Sequence, residues 1–215
     1  MLDTNELKSL GISVGLILLN IALMGALAYT PVSQLLGLMF SYAIVGIIFY
    51  GALLTGGNYF AERGIKRNDI GIALLGAGLL QFAYGSFGAG LLAGFSLDFQ
   101  IAALGVTAVV TTVIALLAGA LVYGTDRDFS SWSRYSSYLF IGVLVFGGVG
   151  TFVTPFLLLA FVCALLGFIV YLVHEIWEMS THPGRVYLNA IGLYVAYMGV
   201  FIQVLQIILR LFSEE

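Results

Sequence analysis

The side chains best suited to chemistry in this sequence lie in one segment, Tyr171-Leu-Val-His174-Glu175-Ile-Trp177-Glu178-Met179. At 3.6 residues per turn, Tyr171, His174, Glu175 and Glu178 form one stripe along a helix. Two acids and an imidazole on an otherwise apolar helix face protein or water rather than lipid, where they can hold a cation or exchange a proton. Glu178 and Trp177 also suit a plain helix end at headgroup level. Glu175 lies nearly one turn deeper, where that explanation is weaker. The stripe partly resembles the zinc motif of metalloproteases, with His182 before Pro183 as a third ligand. However, Glu178 occupies the position of the second histidine, and both it and His182 stand at the helix end.

A second stripe follows. Asn189, Gly192, Ala196, Gly199, Gln203 and Gln206 recur at intervals of three and four, so one face of an apolar helix is polar or small from end to end. This face is expected to pack on the helix that carries Glu175 and to line a bundle interior. Close packing explains the small residues equally well, but the two glutamines need partners or water in either case. The third group is Arg63, Lys66 and Arg67, in the loop from Ala61 to Asp69. Lys66 and Arg67 read as topological anchors, whereas Arg63, nearest the preceding apolar run, is placed to reach inward toward Glu175. No Ser-His-Asp constellation, nucleotide fingerprint or intramembrane histidine pair is present. The single cysteine, Cys163, excludes an intrachain disulfide. The run from Tyr84 to Gly90 is glycine-rich enough to bend its helix but lacks the Lys-Ser or Lys-Thr of a phosphate loop.

The elements that position these groups are membrane helices. From Ser9 to Ala61 there is no Asp, Glu, Lys, Arg or His, and the whole chain is 61% hydrophobic and 9% charged, with a mean hydropathy of +1.07. A crossing takes roughly 20 apolar residues. The runs predict an all-α integral membrane protein, a single domain over 1–215, with seven crossings at about 10–29, 35–60, 70–95, 99–123, 135–152, 156–179 and 187–209. The longest of the later charge-free runs, Tyr135 to Val173, also holds two of them, divided where Pro155 can start a helix but not continue one. A membrane barrel is excluded by the length of the runs and their lack of alternation. With a cytoplasmic N-terminus, Lys8, Arg63, Lys66, Arg67, Arg127, Arg134 and Arg185 all lie inside and only Arg210 outside, as cationic loops require. The first helix ends in Ala26-Leu-Ala28, which resembles a cleavage site. Its acidic start and long apolar region instead predict an uncleaved segment. Small residues spaced by four, Gly11 with Gly15, Gly90 with Gly94 and Ala115 with Gly119, are expected to mark close helix approaches.

Three segments resemble the Bax inhibitor family, the transmembrane Bax inhibitor motif proteins. Gly124-Thr-Asp-Arg-Asp128-Phe-Ser130 resembles the polar lead into that family's fifth helix. Tyr171 to Trp177 resembles its sixth-helix pattern, with Glu175 as the acid. Leu193-Tyr-Val-Ala196-Tyr197-Met-Gly-Val-Phe-Ile202 resembles its seventh. The resemblance implies a seven-helix bundle acting as a pH-sensitive calcium leak, in which two carboxylates on the last two helices share protons and pair with an arginine. Carried over by position, the acid is Glu175, the arginine Arg63, and the second acid falls on Ala196. The departure at Ala196 removes the coupled pair whose mutual suppression produces a titration near neutral pH. His174 supplies a second titratable group, and Asn189 or Tyr197 a hydrogen bond.

The expected function is therefore a pH-sensitive cation (calcium) leak or channel gated near Glu175, not an enzyme, in the plasma membrane. The alternatives are a non-conducting membrane regulator and, with less in its favour, a metal-dependent membrane hydrolase. The expected site comprises Glu175, Arg63, His174, Glu178, Asn189, Ala196 and Tyr197. Expected partners are the lipid bilayer and calcium or other cations, with no nucleic acid, resident metal or cofactor, and no protein partner that the sequence identifies.

Overall fold

Pairs of long helices joined by tight reversals dominate the chain. A computed structural model describes residues 3–41 and 43–213, and among these all regular structure is α-helical. The helices are α1 (Thr4–Ala28), α2 (Val32–Ser41), α3 (Ala43–Lys66), α4 (Ile70–Leu92), α5 (Leu97–Tyr123), α6 (Trp132–Gly150), α7 (Pro155–Thr181) and α8 (Val186–Ser213). Five of them, α1, α4, α5, α7 and α8, are long and apolar enough to cross a membrane, the character of an α-helical membrane protein. The segment read as one crossing at 35–60 is helical over all its described residues, in α2 up to Ser41 and in α3 from Ala43, which continues to Lys66. Similarly, α1 begins earlier than hydropathy suggests. Asp3 and Glu6 form a capping pair in which the Asp3 amide donates to the Glu6 carboxylate, extending the helix into the polar leader.

The chain divides into two compact units, residues 12–102 and the segments up to Gly11 and from Ala103. In the first, α3 and α4 form an antiparallel hairpin. Asn68 takes the left-handed conformation at φ 53°, which asparagine tolerates, and so ends α3. Asp69 then caps α4 by accepting from the Ile72 amide at 3.1 Å. The two backbones approach so closely that a Cβ on Gly64 would strike the Ala73 backbone, and one on Gly76 the backbone of Ala61 and Gly57. Further along the chain, the buried amides of Asn20 and Gln81 join α1 to α4. Asn20 Nδ2 donates to Gln81 Oε1 at 2.7 Å and to its carbonyl at 2.9 Å, and Gln81 Nε2 donates to the Leu16 carbonyl at 2.8 Å. In an apolar medium such amides act as glue between helices.

Of the small residues expected to mark close approaches, Gly90 does so, its carbonyl oxygen 3.2 Å from where a Cβ on Gly37 would stand, but most of the others do not. At Gly11, Gly15, Gly94 and Gly119 nothing lies within 4 Å of where a Cβ would stand. Close approach occurs instead at Gly57, Gly64, Gly76, Gly85 and Gly88 in one unit and Gly150, Gly192 and Gly199 in the other. Spacing alone cannot tell which face of a helix meets a neighbour. The glycine-rich run from Tyr84 to Gly90 lies within continuous α4, with Tyr84 buried.

The second unit is organised around α8. Within its membrane-length window 72% of residues are buried, against 28% for α5 and for α7, so α8 is the core helix. The α6–α7 reversal follows Gly150, with Pro155 at the first positions of α7, where its missing N–H costs nothing. The first turns of α1 belong to this unit. Tyr123 Oη donates to Glu6 Oε1 at 2.9 Å, and Ser9 Oγ donates to the Val186 carbonyl at 3.2 Å.

Candidate functional site

Glu175 stands six residues before the end of α7, half-buried, on the face that meets α8. Its carboxylate lies against the α8 backbone at Gly192, where a Cβ would fall on Oε2. Seven residues earlier on α7, the Phe168 ring covers Gly199, seven residues later on α8, in the same way. These two seats, one heptad apart on both helices, define an antiparallel register along the small stripe of α8. Ala196, fully buried, then lies at the level of Tyr171. Further along the same stripe, Gln203 is buried, with no hydrogen-bond partner for Oε1 among the described residues.

The other side chains of the sequence-derived site separate by role. Glu178 accepts from Arg185 Nη1 at 3.0 Å and lies 3.3 Å from His182 Nδ1, bracing the reversal between α7 and α8. Asn189 completes this turn, its Nδ2 donating to the His182 carbonyl at 3.0 Å. His174 Nδ1 is 3.2 Å from the Phe129 carbonyl oxygen, an acceptor only, so this nitrogen carries the hydrogen and donates. The imidazole also stacks on Trp177 at 5.9 Å, while Phe129 packs edge-on against Trp132. His174 thereby ties the polar 124–131 connection to α7. Tyr197 Oη bonds Thr112 Oγ1 at 3.0 Å and the Ala108 carbonyl at 3.3 Å, joining α8 to α5. Arg63 belongs to the other compact unit, where it donates to Tyr59 Oη and lies over the Tyr59 ring, 5.6 Å from its centroid.

Among the described residues no three His, Cys, Asp or Glu side chains converge as metal ligands. His174 is engaged with Phe129 and Trp177, while Glu178 and His182 lie together at the helix end.

Sequence reading missed several polar groups that the fold buries. Asn20, Gln81, Thr107 and Thr111 lie inside long apolar helices, and their amide or hydroxyl character was the available signal. Glu6, in the acidic start of the first helix, is only 6% exposed, because Tyr123 and the Asp3 amide cover it. No local pattern announces that docking.

In the connection between α5 and α6, Asp128 accepts from the Ser130 amide at 2.8 Å and from its hydroxyl at 3.0 Å. These donors hold the exposed carboxyl below the usual carboxylate range. A folded-state pKa lowered in this way contributes stability that is present above the ordinary value, about 4, and lost as pH falls through the lowered one. Hydrogen exchange should accordingly show the Ser130 amide protected above about pH 4 and released at lower pH, with Asp128→Asn weakening protection at neutral pH. Equal protection of the Ser130 amide in Asp128→Asn and the wild type at neutral pH would contradict this. No family model, curated protein or solved structure matches the chain.

Proposed function

We propose that this chain is a seven-crossing membrane protein with a cytoplasmic N-terminus, related to the Bax inhibitor family, and that it passes cations along a path governed by Glu175. The observation that carries this reading is the carboxylate on a 27-residue apolar helix, seated against backbone at Gly192 where only glycine leaves it room. An acid retained at such a place in an apolar helix is costly, and an ion or proton path is the common reason for keeping one. To the five apolar helices the proposal adds α3 and α6, whose 24 and 19 residues are long enough to span. Counting seven places all cations but Arg210 on one side.

One carboxylate supplies too few of the roughly six to eight oxygens that calcium takes, so the proposed leak is cationic without strong calcium preference. The test is flux of K⁺, Na⁺ and Ca²⁺ from liposomes holding the purified protein, between about pH 5 and pH 8, where a desolvated carboxylate or a histidine changes charge. The wild type is expected to conduct in a pH-dependent manner, and Glu175→Gln to abolish that dependence. Flux with an unaltered pH profile in the variant would remove Glu175 from the mechanism.

A second reading, a regulator that conducts nothing, draws support from Ala196, which is fully buried where the resemblance would place a second acid. Silence of the wild type to all three ions at every pH would favour it.

A further inference from the structure

The end of α3 carries a feature that the proposed leak does not use. Tyr59, Glu62, Arg63, Lys66 and Arg67 line an open cleft of about 280 Å³. Three cations there face one acid. Glu62 is already engaged by Lys66 at 2.8 Å, in a pair whose side chains are more than half exposed. Such surface pairs contribute little and exchange partners readily. Arg67 has no side-chain partner among the described residues, and Arg63 is held over the Tyr59 ring. The cleft therefore offers excess positive charge, a fixed guanidinium and a phenol, close to the small-residue seam that fastens α3 to α4 at Gly64 and Gly76.

The same helix shows what would fill it. The exposed positions of α3 follow one another at Val45, Ile48, Ala52, Thr55, Tyr59, Glu62 and Lys66, at intervals of three and four. Along this continuous outward stripe the character changes from aliphatic through aromatic to charged. Val45 and Ile48 are 50% and 67% exposed, and Tyr59 is 53% exposed. That gradient matches the section of a lipid leaflet, with acyl chains beside the aliphatic residues, an aromatic ring at the interface and phosphate beside cations. Free phosphate would use only the charged end.

We infer that the cleft binds the phosphate headgroup of an anionic phospholipid, whose acyl chain lies along the stripe from Val45 to Thr55. The phosphate is held by Arg67, Lys66 and Arg63. This goes beyond the leak and does not depend on it, since a chain that conducts nothing would bind the lipid equally well.

The test is exchange of spin-labelled phosphatidylglycerol and phosphatidylcholine on the full chain in nanodiscs at low salt. Phosphatidylglycerol is expected to be preferred at least tenfold, and Lys66→Gln and Arg67→Gln to lose about fivefold of that preference each, the effect of one cation near an anionic headgroup. Glu62→Gln, which removes the competing acid, should strengthen it. These side chains are exposed, and an unchanged far-UV spectrum would confirm that each variant folds. A wild type without preference, or a preference that none of the three substitutions moves, would overturn the inference. So would inorganic phosphate that binds the purified protein while phosphatidylglycerol does not, since the site would then take the anion alone.

Discussion

Replacing Gly192 with alanine is expected to leave the α7–α8 pair folded and yet to change the pH profile of ion flux. The new methyl group would occupy the place of Glu175 Oε2. What must move is the far end of a flexible side chain, and an altered rotamer costs about 1 kcal/mol. Alanine also favours the helix by a similar amount over glycine, so net stability should hardly change. The carboxylate, in contrast, must leave its seat on the α8 backbone. If that seat sets the environment in which Glu175 takes up and releases its proton, Gly192→Ala should shift the midpoint of the flux profile, where Glu175→Gln abolishes it. The measurement is the liposome flux profile of both variants beside thermal unfolding in detergent. A folded Gly192→Ala protein with the wild-type profile would show that the seat is only packing.

Gly76→Ala should do the opposite, damaging the fold without touching the acid. Its Cβ would strike the backbone of Ala61 and Gly57 on α3, and backbone cannot rotate away as a side chain can. The α3 and α4 axes would have to separate, opening the seam that also holds Gly64 against Ala73. Overpacking of this kind costs about 3 kcal/mol. Gly78→Ala, two residues along the same helix, is the matched control. Nothing lies within 4 Å of its Cβ position, so there only helix propensity changes, in alanine's favour. Reversible unfolding in mixed micelles should place Gly76→Ala well below the wild type and Gly78→Ala at or slightly above it. Equal stability of the two would mean that the seam is looser than its geometry indicates.

The different fates expected at these glycines show how far the amino-acid order reaches. Hydropathy is additive along the chain, so runs without charge were enough to identify long apolar helices, and Pro155 was enough to place the start of α7. Helical periodicity put Glu175 on one face with Tyr171 and His174, and Gly192 on one face with Gly199. It also put Gly11 with Gly15 and Ala115 with Gly119, where a Cβ added at Gly11, Gly15 or Gly119 would meet nothing within 4 Å. Periodicity ranks the faces of a single helix, whereas contact depends on which face another helix selects. That selection is a property of pairs, decided by shape and by the partners available to buried polar groups. Only the tertiary structure therefore set Glu175 against Gly192, gave His174 the Phe129 carbonyl and turned Glu178 and Asn189 to bracing the α7–α8 reversal. The same holds for Asn20 and Gln81, whose residue types demanded partners inside an apolar medium while their positions could not name them. What each helix is made of was settled locally; what each side chain meets was settled by the fold.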